Sequence, residues 1–194
     1  LSYAAAHRQE LLFDFWVKGD RALARGKTEA PYGWVFPPEQ RDPARLAYLV
    51  NQLRAQRVEV HRLTQPARLG GKSWPAGSYV VRTDQPYGNV AKTLLEVQKF
   101  PEDEPNPPYD DVAWTWPLLY GVTAESVADR KVLDAPMEMV ATSPVAEGTV
   151  SGAGEVFLMR DTGQTALLEA RVRLGTNQVD AAEVAFTAGG VSYP

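Results

Sequence analysis

Gly33-Trp34-Val35-Phe36-Pro37-Pro38-Glu39-Gln40-Arg41-Asp42-Pro43 is the stretch on which the fold turns. Four residues of strand character run into two prolines, which cannot donate to a sheet ladder. Asp42 and Pro43 then start a helix: the carboxylate accepts from first-turn amides, and proline has no amide to leave unpaired. Leu46, Leu49, Val50 and Leu53 fall on one face of that helix, and Val58-Glu59-Val60-His61 alternates like a half-exposed strand. The result is a β-α-β unit, with a right-handed crossover if the two strands are parallel neighbours. Beyond it, Gly70-Gly71 and Pro75-Ala76-Gly77 punctuate short stretches around Trp74 and the strand 78–82, which predicts a hairpin.

Outward from this centre, residues 3–25 follow a helical period. Leu11, Leu12, Phe15, Trp16, Ala22 and Leu23 form an apolar stripe, Arg8, Glu10, Asp14, Lys18 and Arg21 lie opposite, and Gly26 is the expected C-cap. Downstream, Val90, Leu94, Leu95 and Val97 mark a second amphipathic helix. Proline and acid dominate 100–111, a solvated spacer, and the apolar stretch 113–122 is expected to pack on the first unit's core.

Sliding the chain along itself by one constant offset sets Arg160-Asp161 on Arg41-Asp42, Leu168 on Leu49, Arg173 on Arg54 and Val179 on Val60. The same offset sets Gly189-Gly190-Val191-Ser192-Tyr193-Pro194 on Gly70-Gly71-Lys72-Ser73-Trp74-Pro75. About ten of about thirty-five aligned positions are identical. The expected fold is therefore α/β, built of two repeated β-α-β-hairpin units with small mixed sheets flanked by helices, the second unit truncated. Residues 1–30 are an amphipathic helix and linker, 31–122 the first unit, 123–154 a connection and 155–194 the second unit. Within that second unit, 155–159 is expected to be a strand, 164–174 a helix and 178 onward a returning strand and hairpin.

The 194 residues suffice for one generous domain or two small ones. A net charge of -4 and scattered cations give no field for gathering phosphates, so no nucleic-acid partner is expected. With no cysteine, thiolate metal sites, disulfides and cysteine nucleophiles are excluded. No apolar run reaches the roughly 18 residues of a membrane span. The opening Leu1-Ser2-Tyr3-Ala4 reads as the start of an excised piece.

Chemistry-bearing patterns are sparse. His7-Arg8-Gln9-Glu10 has the H-x-x-E form of half a zinc site, but hydrolytic zinc needs three protein ligands, and only His61 remains. His and Glu three apart on a helix are ordinary surface neighbours. Glu59 and His61 share a strand face by simple alternation. Ser73, Ser78 and Ser192 lack a G-x-S-x-G elbow, and the paired glycines sit in hairpins rather than phosphate loops. No catalytic residue and no metal ligand is assigned. Trp34, Trp74, Tyr79, Tyr87, Trp114 and Trp116 are either core or a stacking platform for sugar or peptide, with Arg41, Asp42 and Arg82 as its polar rim. The candidate binding residues are thus Trp34, Arg41, Trp74, Arg82, Trp114 and Trp116.

Several strings together resemble one known group: FDFWVKG at 13–19, KTEAPYGWV at 27–35, PEQRDP at 38–43, VEVHR at 58–62, PAGSYVV at 75–81, DQPY at 84–87 and LLEVQ at 94–98. They are similar to a region of large bacterial proteins of the zinc carboxypeptidase A-like family, downstream of the catalytic domain and ahead of sequence that often looks like a glutamine-amidotransferase-type fold. The resemblance implies a secreted or periplasmic parent that removes C-terminal residues from peptides and holds zinc in a domain upstream of Leu1. It implies that residues 1–30 come from, or connect to, that domain. The piece itself would be a non-catalytic accessory region with no cofactor, facing neighbouring domains or, through its N-terminal helix, another copy of itself. The alternative expectation is a glycan- or peptide-binding module that uses exposed aromatics.

Overall fold

The computed structural model describes residues 1–99, 101, 103, 105 and 114–193, and the chain divides into two units, Leu1–Ala146 and Glu147–Pro194. It is mixed α/β. Most of the expected spacer at 100–111, together with Ala113 and Pro194, lies outside the described residues.

The first unit opens with α1 (Ser2–Ala6), a break at His7, and α2 (Arg8–Thr28). Gly26 does not cap this helix. It lies buried inside it, where any Cβ would overlap the carbonyl of Thr83, and the helix ends instead at Glu29. Close approach of two backbones, rather than a left-handed turn, is what requires glycine there.

β1 (Gly33–Phe36) and α3 (Pro43–Ala55) follow, with the Asp42 carboxylate accepting from the amides of Ala44 and Arg45 at 2.9 and 3.4 Å. The returning strand starts later than its alternation suggests, as β2 (His61–Leu63). Val58 and Val60 are buried, but Gln85 binds the peptide groups of Glu59 and keeps them out of any ladder. β3 (Ala67–Leu69) and β4 (Lys72–Trp74) form a separate hairpin over Gly70-Gly71, both at positive φ (58° and 81°), as a two-residue primed turn requires.

β5 (Tyr79–Arg82) enters the sheet between β1 and β2. Those two strands are therefore parallel to one another but not neighbours. After α4 (Gly88–Leu95) and α5 (Trp116–Tyr120), residues 123–146 are more than a connection: β6 (Glu125–Val127) and β7 (Met137–Met139) form the two sheet edges, in the order β6-β1-β5-β2-β7. Among the described residues every pairing is antiparallel, so these sheets are not mixed.

Alternate residues of the central strands feed two cores, as the pleat demands. Trp34, Phe36 and Val81 pack with Leu46, Leu49, Val50 and Leu53 of α3 and Ala91 and Leu95 of α4. On the other face Val35 and Val80 pack with Leu69 and Trp74 of the hairpin and Val132 and Leu133 of a 3₁₀ turn (Arg130–Asp134). The buried face of α4 is Gly88, Ala91 and Leu95; Val90 and Val97 are exposed, contrary to the expected stripe. In the 113–122 stretch Pro117 and Val122 are buried, whereas Leu118 and Leu119 face outward.

The second unit contains α6 (Thr165–Leu174) and a hairpin of β8 (Phe186–Ala188) and β9 (Val191–Tyr193). Residues 155–159 are irregular rather than a strand. None of this unit's described residues is buried.

Candidate functional site

Two places in unit 1 gather groups capable of recognition, and both differ from the aromatic platform expected from sequence. Trp34 and Trp74 are 3% and 5% exposed and belong to the cores on opposite faces of the sheet. They are structural. The Trp74 indole N–H is satisfied by the Leu69 carbonyl at 3.3 Å, as a buried indole requires. Trp114 is exposed, Trp116 half-buried against the helical core, Arg41 exposed and Arg82 half-buried. The six candidate residues therefore do not line one surface.

The aromatic surface that does form is built by α3 and α5. Tyr48 projects from the outer side of α3, 52% exposed, and meets Tyr120 edge-on at 5.5 Å between centroids; Trp116 meets Tyr120 at 6.2 Å and 90°. These are favoured edge-to-face geometries. Arg45, one turn before Tyr48, donates to the Tyr120 carbonyl at 3.5 Å and pairs with Asp42, which ties the α3 start to the α5 end. Proline at the start of α5 and left-handed Gly121 at its end confine that helix to a turn and a half, which presents both rings on one side. Tyr48 and Tyr120 were absent from the sequence-derived candidates. The signal was available, since Tyr48 lies off the Leu46, Leu49, Val50, Leu53 stripe.

The second place is polar. Arg82 grips Asp84 with Nε to Oδ1 at 2.8 Å and Nη2 to Oδ2 at 2.5 Å, a bidentate pair that raises the Arg82 pKa despite its partial burial. His61 stands nearby on β2 with Nδ1 buried and without a hydrogen-bond partner. Burial pushes its pKa below the ordinary 6.5, the Arg82 charge pushes the same way, and Glu59 and Asp84 oppose both. Thr83 donates to the Gly26 carbonyl at 3.3 Å and anchors this corner to α2. A shallow open cleft of about 390 Å³ lies further along β2, lined by Arg62, Leu63, Thr64, Ala76, Gly77 and Glu138.

His7 and Glu10 sit on an exposed helix with Nδ1 and Oε2 3.1 Å apart, bound to each other. His61 is on β2 among Arg82, Glu59 and Asp84, and among the described residues no three His, Asp or Glu side chains are grouped as a metal site needs. No helix among the described residues is long and apolar enough to cross a membrane. The protein matches no family model, no curated protein and no solved structure.

Proposed function

We propose that the chain is a non-catalytic accessory region of an exported zinc carboxypeptidase-like protein, and that its work is to position neighbouring domains. The observation that carries this reading is the N-terminal half of α2. Leu11, Leu12, Phe13, Phe15 and Trp16 all stand in solvent, Trp16 at 62%, while only Ala22 and Gly26 further along the helix are buried. A contiguous apolar patch of this kind on a charged helix marks a packing surface. The strings that resemble the carboxypeptidase group support the identity of the parent, whose upstream domain would hold the zinc and hydrolyse C-terminal peptide bonds. In the same reading the two units are copies of one β-α-β-hairpin pattern, supported by the coincidence of α6, β8 and β9 with the counterparts of α3, β3 and β4.

The test is a panel of free and C-terminally blocked peptides incubated with the purified chain, with and without added zinc. No turnover is expected. Turnover that disappears on changing one polar residue, or stoichiometric zinc lost with His7→Gln and Glu10→Gln, overturns the proposal. In parallel, Phe15→Glu with Trp16→Glu should abolish binding of an apolar dye without lowering stability.

A second reading, a glycan- or peptide-binding module, is favoured by the Tyr48, Tyr120 and Trp116 array alone. It predicts a saturable change in tryptophan fluorescence on titration with oligosaccharide or peptide, absent in Tyr48→Ala. A flat titration removes it.

A further inference from the structure

Three polar atoms on the surface shared by α3 and α5 have no hydrogen-bond partner among the described residues: the Tyr48 and Tyr120 hydroxyls and the Trp116 indole N–H. Other such groups in unit 1 are satisfied within the chain. The Trp74 indole donates to the Leu69 carbonyl, and the Tyr32 hydroxyl donates to the Thr28 carbonyl at 3.3 Å. Tyr48 is mostly exposed, and neither the Tyr120 hydroxyl nor the Trp116 nitrogen is buried, so all three donors are open to solvent. The surface is also short of acid. Neither α3 nor α5 contains Asp or Glu, α3 carries Arg45 and Arg54, and the capping Asp42 is buried and committed to the first-turn amides and Arg45. Arg41, just ahead of α3, is exposed and makes no ion pair among the described residues.

The rings form a row with Tyr120 in the middle, 5.5 Å from Tyr48 and 6.2 Å from Trp116, turned by 64° and 90° from one ring to the next. Rings set edge-on in this way leave notches between them and share no plane, whereas a sugar needs a flat aromatic face to lie on. A polyproline II helix suits the row better. It advances about 3.1 Å per residue, so one ring step matches two residues. A run of prolines also has no N–H, so it offers carbonyl acceptors without competing donors, the complement of a surface whose free groups donate. The row needs no assembly on binding: buried Pro117 seats α5 on the core, and Arg45 holds the Tyr120 carbonyl. A stiff ligand meeting a preformed surface loses little entropy.

We infer that the row of Tyr48, Tyr120 and Trp116 binds a proline-rich segment of a partner polypeptide, in the polyproline II conformation and with acidic residues beside the prolines. Proline rings enter the notches, the two hydroxyls and the indole donate to the segment's carbonyls, and Arg41 meets the flanking acid. The inference rests on the second reading above, of this array as a ligand-binding surface, and names its ligand.

The experiment titrates the full chain into the fluorescein-labelled peptide EEPPPPPPPP and follows fluorescence anisotropy. A saturable rise is expected, with none for labelled GSGSGSGSGS. Tyr48→Phe combined with Tyr120→Phe keeps both rings and removes two donors, and should weaken binding by about tenfold, as the loss of two hydrogen bonds predicts. Leu118→Ser should leave binding unchanged, because Leu118 is exposed and lies two residues from both Trp116 and Tyr120, off their side of α5. Exchanging the two glutamates of the peptide for lysines should weaken binding by about threefold or more at low ionic strength. No rise, an equal rise with the Gly-Ser peptide, or unchanged affinity in the double phenylalanine variant overturns the inference. Unlabelled chitohexaose, followed by tryptophan fluorescence, separates the two ideas. A response there that Tyr48→Ala abolishes, with none to the proline peptide, removes the inference and leaves the surface reading standing, and no response to either ligand removes both.

Discussion

The side chain of Gln85 holds both peptide groups of Glu59: its Oε1 accepts from the Glu59 amide at 2.7 Å, and its Nε2 donates to the Glu59 carbonyl at 3.1 Å. A third bond runs from Nε2 to the Arg82 carbonyl at 2.6 Å, and the residue is 1% exposed. A side chain thus does for the chain ahead of β2 what a neighbouring strand would otherwise do. Gln85→Leu removes all three bonds and leaves three main-chain groups without partners, at a cost of about 3 kcal/mol. Urea denaturation followed by tryptophan fluorescence measures it, and a loss below about 1 kcal/mol would show that water replaces the amide.

Thr83 sets a second, more severe constraint. Both Gly26 of α2 and Gly88 at the start of α4 lie so close to its carbonyl that a methyl group at either position would overlap backbone, which cannot swing aside. Gly26→Ala and Gly88→Ala should each destabilise by about 2 kcal/mol or more through overpacking. Gly19, on the same helix as Gly26, meets nothing nearer than the Pro86 Cβ at 3.7 Å. Gly19→Ala should stabilise by about 0.5–1 kcal/mol, since a helical glycine loses more chain entropy than alanine does. Opposite signs for two glycines of one helix would separate packing from propensity; equal signs would refute the close approach at Thr83.

Arg57 is the non-glycine residue at positive φ (64°) among those described, and it closes α3. Its amide bonds the Arg54 carbonyl at 2.9 Å and the next amide, of Val58, bonds the Leu53 carbonyl at 3.1 Å, the paired closure that glycine ordinarily provides. Leu53 and Val58 are both buried, which adds the apolar contact of that motif and holds Arg57 in place. Arg57→Gly relieves the left-handed strain and should stabilise by about 0.5–1 kcal/mol. A thermal melt with an unchanged or lowered midpoint would show that the arginine stem contributes contacts of its own.

What could be read in advance follows distance along the chain. Asp42-Pro43 and Gly70-Gly71 declare a helix start and a hairpin turn because their partners are two or three residues away. That β5 would enter between β1 and β2 was not legible, since strand 79–82 carries no mark of which neighbour it prefers. Glycine at 26 has the same ambiguity: a cap and a close approach both demand a missing Cβ, and only the position of Thr83 decides between them. The aromatic candidates are spread apart for a related reason. Trp34 and Trp74 occupy strand positions buried on opposite faces, while Tyr48 and Tyr120 reach each other only because α5 packs beside α3.

His61 gives the fold a pH dependence whose sign is fixed. Its pKa in the folded chain lies below the ordinary 6.5, chiefly because burial disfavours the imidazolium and secondarily because Arg82 repels it, with Glu59 and Asp84 opposing. Above pH 6.5 both folded and unfolded chains carry neutral imidazole, and the residue adds no pH dependence. As pH falls through 6.5 the unfolded chain takes up a proton that the folded chain refuses, so stability is lost progressively until the folded pKa is reached. The urea midpoint of the wild-type chain should therefore drop between about pH 7 and pH 5, a window above most carboxylate titrations. His61→Gln should flatten that drop. Parallel profiles for wild type and His61→Gln would mean that water or the neighbouring carboxylates compensate the imidazolium fully in the folded state.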